Sequence, residues 1–438
     1  MTPPPTRRHL LGASLGLCAA ALLPGCGQPP ASRSHRTAAE PAEAPGSATP
    51  GRPRLRLIGE ATLPHRMDFQ GTTVGGLSGI DYDPATGLYV LISDDRSIIS
   101  PARAYTARLP LSAAGLGTPQ LEHVTLLRNA QGTPFPNRQQ ALPSDEVPDP
   151  EAIRWLDGGH VLWASEGWAL RGMGPALHES RMPDGQWVRS LPLPPMFTPR
   201  PGAGTGPRDN LAFEGLALSP DRRTAWVAME NALLQDGPSP RVGAEGGPCR
   251  ITAFDLASGQ AVRQIAYVPD AIPARGPLPG LLPPVLYADN GISEILMHDA
   301  HHMLVLERAY VLGQGLSLRL YRIDTRSASD TLGLERLLPG NHHSATKTLV
   351  ADFATLGLSR LDNTEGMTWG PVLQHGNRSS RTLVVVSDDN FRSAQVTQFA
   401  AFEFIETRSA VMDEKTRFYV PDSVKHPTST AFHQKVDK

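Results

Sequence analysis

Apolar and polar residues alternate along this chain in a pattern that recurs five times. Each copy opens on a polar or acidic residue, passes through a short apolar run to a turn, and returns through a second apolar run to an acid. Short apolar runs bounded by Gly, Pro, Asn and Asp predict β-hairpins. The five copies occupy residues 78–94, 151–166, 214–230, 294–307 and 365–388. A unit that repeats in this way predicts a radial or stacked architecture.

The midpoint of each copy tests the hairpin prediction, because residues that face each other across a hairpin are centred on its turn. All five midpoints fall in segments rich in Pro, Gly, Asp and Asn, the residues that turns favour. These segments are 83–87, 156–159, 219–223, 299–302 and 375–380. The pattern therefore predicts five hairpins whose opening and closing residues lie opposite each other.

Further alternating segments follow the hairpins and predict a third or fourth strand in several units. They are residues 104–109, 176–180, 186–191, 251–255, 261–268 and 317–324. Four antiparallel strands per repeated unit are typical of a β-propeller blade. Alternating segments also lie near both ends of the chain, at 55–59 and 398–404, and pairing them would close the ring. We predict an all-β propeller of six four-stranded blades, the sixth built from these two end strands, with five blades as the alternative.

The first residues resemble an export signal. Arg7 and Arg8 precede an apolar run over residues 10–25, which is shorter than the ~20 residues that span a bilayer. The run ends in Leu-Pro-Gly before Cys26, which is similar to the lipobox at which bacterial lipoproteins are acylated. An ordinary cleaved signal peptide and a cytosolic tail are the alternatives. We expect a lipid-anchored protein of the bacterial cell envelope that faces the periplasm or the cell exterior.

The same patterns divide the chain into four parts. The segment over residues 26–52 is rich in Pro, Ala and Ser and lacks the apolar periodicity that would let it bury a core. The four predicted parts are a twin-arginine and lipoprotein signal peptide over residues 1–25, a disordered tether over 26–52, the propeller over 53–406, and a polar tail over 407–438.

The composition of the chain limits the classes of partner that the protein is expected to bind. The net charge of −2 gives no electrostatic basis for binding nucleic acid. Of the three cysteines, Cys18 and Cys26 lie in the signal and lipidation segment and Cys249 stands alone, which excludes a disulfide framework and a zinc site built on cysteines. We expect a monomer whose partners are the lipid bilayer, through acylated Cys26, and a small-molecule substrate or ligand at the channel mouth.

The repeated acids are the leading candidates for chemistry. The first strand of a propeller blade lines the central channel and the second runs back beside it, so both ends of each hairpin reach one mouth of the channel. The candidate metal ligands at this mouth are Asp94, Glu151, Glu166, Glu214, Glu230, Glu294, Glu307, Glu365 and Asp388. Facing like charges destabilise a strand pair by roughly 0.2–1 kcal/mol, so cations, raised pKa values or arginines must offset them.

The identity of the ligands indicates the metal. Carboxylates without a cluster of Cys or His suit a hard cation, and Ca²⁺, which takes about 6–8 oxygen ligands, is preferred. The alternative is that these acids cap strand ends and pair with nearby arginines.

Several segments together resemble the phytase-like family, which is described by the esterase-like activity of phytase. They are residues 76–81, 92–96, 213–217, 229–231, 306–308, 363–367 and 386–391. The resemblance covers about residues 70–395 and implies a β-propeller, an exported or envelope-bound protein, and calcium-dependent hydrolysis of phosphoesters. Residues 149–155 resemble the opening motif of the phytases proper only in part, so the phosphate-binding residues of those enzymes are not transferred to this chain.

Two functions follow from these patterns. The first is an envelope-anchored, calcium-dependent hydrolase of phosphoesters or carboxylic esters, in which Arg96 and Arg308 are the candidate clamps for an anionic group. The alternative is a non-catalytic propeller that calcium stabilises and that binds a partner or a ligand.

Overall fold

Twenty strands form five blades around a central axis in the computed structural model, which describes residues 53–273, 288–375 and 378–406. The blades are numbered I to V in the chain order of their innermost strands. Blade I consists of Leu77–Asp83, Leu88–Ser93, Arg103–Arg108 and Gln120–Leu126; blade II of Pro150–Trp155, His160–Ser165, Ala176–Arg181 and Trp187–Ser190; blade III of Phe213–Leu218, Thr224–Met229, Cys249–Asp255 and Ala261–Tyr267; blade IV of Ala288–Met297, His302–Val311, Gly315–Asp324 and Lys347–Asp352; and blade V of Asn363–Trp369, Arg378–Asp388, Gln398–Ile405 and Arg54–Thr62.

Short elements occupy the connections between these strands. The short strands are Asp68–Phe69, Thr72–Thr73, Leu111–Ser112, Gly115–Leu116 and Leu373–His375, and the single-turn 3-10 helices are Asp157–Gly159, Ala169–Arg171, Pro195–Phe197, Pro201–Ala203, Thr325–Ser327 and Phe353–Thr355. None of the helices in the described ranges is long and apolar enough to cross a membrane. The predicted signal peptide, Cys26, the tether and the tail after residue 406 lie outside the described residues.

The ring closes with five blades. The innermost strand of each blade contacts the innermost strands of both neighbours, and that of blade V contacts that of blade I. The prediction of six blades is therefore wrong, and the alternative of five is confirmed. The terminal strands do pair as predicted, because Arg54–Thr62 runs antiparallel to Gln398–Ile405. However, Gln398–Ile405 also pairs with Arg378–Asp388, so the terminal strands complete blade V instead of forming another blade.

Apolar side chains fill the spaces between neighbouring blades. Successive side chains of a strand point to opposite faces of the sheet, so one strand contributes to two interblade cores. In blade I, Val90 and Ile92 pack against residues of blade II, whereas Tyr89 and Leu91 pack against residues of blade V. This alternation is the apolar pattern from which the hairpins were predicted.

A buried ion pair closes the axis. Arg154, in the innermost strand of blade II, pairs with Oε2 of Glu294 in blade IV at 2.8 Å, and both side chains are almost fully buried. The Arg154 guanidinium also donates to main-chain carbonyls of three other blades, those of Ile80 at 2.6 Å, Ile295 at 3.2 Å and Met367 at 3.1 Å. Glu294 Oε1 accepts from the main-chain N–H of Leu216 in blade III at 2.9 Å. The pair therefore connects all five blades.

Candidate metal centre

Each inner hairpin contains a β-bulge at the end that faces the channel mouth. The pairing register shifts by one residue at the same position in all five hairpins. A bulge leaves one residue out of the ladder and redirects its side chain. The five bulged residues, one per blade from I to V, are Ser78, Glu151, Glu214, Ser293 and Glu365. These positions are therefore equivalent in the five blades.

The closing residue of each hairpin pairs with the residue two positions before the bulge. In blades I to III the closing N–H donates to that residue's carbonyl, with Asp94 bonded to Gly76 at 2.7 Å, Glu166 to Asp149 at 2.9 Å, and Glu230 to Ala212 at 2.6 Å. In blades IV and V the corresponding partners are Gly291 with Arg308 and Asn363 with Asp388. The hairpin prediction placed the closing acid directly opposite the opening residue. In the structure the closing acid instead faces the residue two positions before the bulge.

Blade IV differs from its predicted alignment by one residue. Glu294 pairs with Leu306 and not with Glu307. The bulged position, which is acidic in blades II, III and V, is occupied by Ser293, and the closing position, which is acidic in the other four blades, is occupied by Arg308. The chain order Gly-Ile-Ser before Glu294 parallels Gly-Leu-Ser78 in blade I, and this parallel was the signal in the sequence that could have set the register.

Neither predicted acid of blade IV joins the other carboxylates at the mouth. Glu294 lies on the axis with Arg154, where burial raises its pKa to about 7 although the guanidinium opposes the shift. Glu307 lies between blades III and IV, and its oxygens are saturated by four donors: Tyr267 Oη at 2.5 Å, Lys347 Nζ at 2.7 Å, Asn290 Nδ2 at 3.0 Å and the N–H of Asp270 at 3.0 Å. Both carboxylates therefore have protein partners away from the mouth.

The remaining acids form a group that is here named the acid ring. Its members, each 7 % exposed or less, are Asp94, Asp149, Glu151, Glu166, Glu214, Glu230, Glu365 and Asp388. Asp149 was not among the predicted ligands, because it belongs to the segment before the repeated pattern begins. Its place in the ring follows from its pairing with Glu166.

Two triplets within the acid ring are compact enough to hold a cation each. Asp149, Glu151 and Glu166 offer one oxygen apiece within 4.8 Å of one another, and Glu166, Glu214 and Glu230 do the same. Ca²⁺ binds oxygens at about 2.3–2.6 Å, so two ligands of one ion lie no more than about 5 Å apart. Glu166 belongs to both triplets and would bridge two neighbouring ions.

Burial and mutual repulsion disfavour ionised carboxylates in both triplets. Burial is the main reason why the pKa values of Glu151, Glu166 and Glu214 lie well above the ordinary range, and charge repulsion adds to it. The largest repulsive partners are Glu214 for Glu151, Asp149 for Glu166, and Glu230 for Glu214. A divalent cation would remove this penalty by neutralising the repulsion.

The triplets fit a hard cation on structural grounds. Within the described ranges, the side chains of Glu151 and Glu214 accept no hydrogen bond and form no ion pair, although both are more than nine-tenths buried. Buried charges are normally paired or bind metals. All six ligand positions of the triplets supply carboxylate oxygens, which are the donors that Ca²⁺ takes.

Two arginines flank the triplets. Arg96 pairs with Asp149, lies 3.8 Å from Glu166 Oε2, and donates to Asn210. Burial alone would lower the pKa of Arg96, but the surrounding carboxylates raise it, so the guanidinium stays charged. The Nε–H of Arg96 is buried and has no hydrogen-bond partner in the described part of the chain. Arg308 lies on the other side of the ring and contacts Glu230 and Glu365.

A glycine allows the mouth of blade I to form. Gly76 has a φ of +61°, and a Cβ at this position would collide with the carboxylate of Asp94 and lie 2.7 Å from the Phe391 ring. Asp388, another member of the acid ring, accepts a hydrogen bond from the main-chain N–H of Asn390 at 2.7 Å. The backbone thus approaches the acid ring more closely here than a side chain would permit.

Comparison with known proteins decides the family. The family model described as "Phytase-like: Esterase-like activity of phytase" matches residues 72–391. The chain belongs to this phytase-like family. The resemblance noted in the sequence is thereby confirmed. No curated protein matches the chain significantly.

Several solved structures match this phytase-like chain at low similarity. The periplasmic gluconolactonase of Pseudomonas aeruginosa is 13% identical, with 77% of this chain and 90% of that chain covered and a TM-score of 0.32. A gluconolactonase of Xanthomonas campestris is 12% identical, with 82% and 98% covered and a TM-score of 0.30. The catalytic domain of an α-L-arabinofuranosidase of Coprinopsis cinerea is 10% identical, with 81% and 98% covered and a TM-score of 0.38. None of these similarities bears on the activity of this chain.

Proposed function

We propose that this phytase-like propeller is a hydrolase of esters, phosphoesters foremost, that works with Ca²⁺ held by the acid ring. The observation that carries the proposal is the pair of buried carboxylate triplets that share Glu166. A structural core has no need for five carboxylates in so small a volume, since each uncompensated one weakens the fold. The triplets would hold the cations, with Glu166 between them.

The bound cations would polarise an ester oxygen and acidify a water molecule, which is the chemistry that hydrolysis requires. The protein's own groups have separate tasks. The carboxylates fix the positions of the cations, and the closed axis below them leaves the mouth as the approach for a substrate. The buried, unsatisfied Nε–H of Arg96 points to an acceptor that the described residues do not supply.

Arg96 is accordingly the proposed clamp for an anionic group of the substrate. It lies beside the triplet of Asp149, Glu151 and Glu166, so an anion bound to it would lie next to a cation in that triplet. Guanidinium groups bind phosphate and carboxylate oxygens through two parallel hydrogen bonds. A cation in the triplet would compete with Arg96 for Asp149 and so make further N–H donors available.

We also propose that the protein acts in the cell envelope, anchored through acylated Cys26. The support for this is the pair of arginines before the apolar run and the lipobox-like sequence that ends it. Radiolabelled palmitate incorporation in a bacterial host, with Cys26→Ser as the control, tests the anchor. Incorporation that persists in Cys26→Ser would overturn it.

The activity is tested with purified protein on an aryl phosphate and an aryl acetate, with and without EDTA. We expect turnover that disappears on chelation, returns with Ca²⁺, and is lost in Glu214→Gln while the far-UV circular dichroism spectrum is unchanged. The matched control is Glu122→Gln, because Glu122 is exposed on the outer strand of blade I and pairs with exposed Arg108. That variant should retain full activity.

Two results would contradict the proposal in different ways. If neither substrate is hydrolysed while Ca²⁺ raises the melting temperature, the propeller binds calcium without catalysis, and its mouth serves a ligand or a partner. If elemental analysis finds no metal after dialysis against Ca²⁺, the acid ring is not a metal centre. The calcium-dependent hydrolase and the non-catalytic calcium-binding propeller are then both ruled out.

A further inference from the structure

Blade IV breaks the pattern of the acid ring. At the closing position of the inner hairpin, blades I, II, III and V carry Asp94, Glu166, Glu230 and Asp388, whereas blade IV carries Arg308. At the bulged position blade IV carries Ser293. This blade therefore adds a positive charge where the equivalent residues of the other four add negative ones.

Arg308 binds acids of both neighbouring blades. Its Nη1 lies 2.6 Å from Glu365 Oε1 in blade V and also donates to Asn363, while its Nη2 lies 3.4 Å from Glu230 Oε1 in blade III. Glu214 also interacts with it electrostatically. The side chain is 8 % exposed, so these interactions are shielded from solvent. Its contacts thus extend across the width of blade IV, from blade III to blade V.

We propose that Arg308 is a built-in cation that takes the place of a further Ca²⁺ between blades III and V and confines bound Ca²⁺ to the two triplets. The inference rests on the proposed function in one respect, that the triplets bind Ca²⁺. A guanidinium does not lose its proton in proteins, so it supplies a permanent charge at this point of the ring.

The distribution of partners around the ring supports this division. Glu151 and Glu214 of the triplets are buried without a hydrogen bond or ion pair to any described residue, although Arg96 contacts Asp149 in one triplet and Arg308 contacts Glu230 in the other. Glu365 is contacted by Arg308 and, at 2.9 Å, by Asn363 Nδ2. Among the described residues, the groups of three close ligand atoms that could hold an ion do not include Glu365. Glu365, which lies outside the triplets, is therefore contacted by protein groups, whereas Glu151 and Glu214 within the triplets are not paired with any described residue.

Removing the guanidinium should create the missing cation site. In Arg308→Gln, Glu230 and Glu365 keep their places, Asn363 remains beside them, and the glutamine adds one more oxygen ligand. We expect isothermal titration and elemental analysis to give two Ca²⁺ per wild-type chain and three per Arg308→Gln chain. We also expect that EDTA lowers the melting temperature of this variant more than that of the wild type, and that Ca²⁺ restores it.

Two matched variants separate charge from structure. Arg308→Lys keeps the positive charge and should bind two Ca²⁺, as the wild type does. Arg319→Gln removes an arginine from the third strand of the same blade, where it is partly exposed near Asp270 and Asp352, and should also bind two.

Each outcome decides between the proposals. Wild-type protein that binds no Ca²⁺ overturns the proposed function. Wild-type protein that binds two Ca²⁺, with Arg308→Gln binding the same number and showing the same dependence on EDTA, overturns the role of Arg308 alone. If Arg308→Gln cannot be obtained folded even in Ca²⁺, then Ca²⁺ does not substitute for the guanidinium, and the role is likewise overturned. Three Ca²⁺ in Arg308→Lys would contradict it too.

Discussion

Replacing Arg154 by methionine should destabilise the propeller strongly, because this one side chain connects the blades at the axis. Methionine has a similar length and no charge, so the change removes the donors and leaves the volume largely filled. Glu294 then remains fully buried without its cation, and the carbonyls of Ile80, Ile295 and Met367 lose a donor.

The magnitude follows from the state of Glu294. Removing one partner of a buried ion pair typically costs about 3–5 kcal/mol, since the other charge is left uncompensated. Glu294 has a pKa of about 7 even beside Arg154, so without the guanidinium it takes up a proton at neutral pH and avoids part of that penalty. We therefore expect the lower end, about 3 kcal/mol, for Arg154→Met.

Urea denaturation measures this loss directly, with Glu294→Gln and the double variant completing a cycle. The double variant should lose less stability than the sum of the losses in the two single variants, because neither charge is then left buried without its partner. A change of less than about 1 kcal/mol in Arg154→Met, or strict additivity in the cycle, would show that the axial pair does not connect the blades energetically.

Three further predictions follow from the same geometry. Without metal, the free energy of unfolding should fall as the pH rises above 4.5, the ordinary pKa of glutamate. The raised pKa values of Glu151, Glu166 and Glu214 let the folded state hold protons that the unfolded chain releases. Melting temperatures measured in EDTA at a series of pH values check this, and a melting temperature that rises with pH would contradict it. Gly76→Ala should cost at least about 1 kcal/mol more than Gly71→Ala, because both have positive φ but only Gly76 is crowded, by Asp94 and Phe391; equal melting temperatures would refute the crowding. Deleting residues 1–62 should abolish the cooperative melting transition, because strand Arg54–Thr62 completes blade V; an unchanged transition would contradict this.

The inner hairpins were readable from the sequence because their physical causes are local. Each has alternating apolar residues that fill interblade cores and a turn of Pro, Gly, Asp or Asn between them. The outer strands were harder to recognise. In Gln120–Leu126, for example, most side chains are exposed or half-buried, so the apolar alternation that marks a strand is weak.

The number of blades depends on a contact between the two ends of the chain. Alternation identifies Arg54–Thr62 and Gln398–Ile405 as strands, but it does not say which other strand they pair with. Only the pairing of Gln398–Ile405 with Arg378–Asp388 shows that both belong to blade V.

The structure brings most of the predicted acids together, but the predicted pairing register of blade IV was wrong by one residue. Glu294 with Glu307 and Ser293 with Arg308 have the same midpoint, so the test that supported the hairpin cannot separate the two alignments. A β-bulge decides between them, and a bulge leaves no periodic mark in the sequence. The closure of the axis by Arg154 was equally hidden, because it depends on carbonyls from three other blades.

The central claim is that two cations share Glu166, and the most direct test is the Ca²⁺ stoichiometry of three proteins by isothermal titration. The wild type should bind two Ca²⁺ per chain, since two triplets are present. Glu151→Gln, which alters one triplet, should weaken one binding event, whereas Glu166→Gln should weaken both. A wild type that binds no Ca²⁺, or a Glu166→Gln variant that loses only one of two sites, would contradict the account.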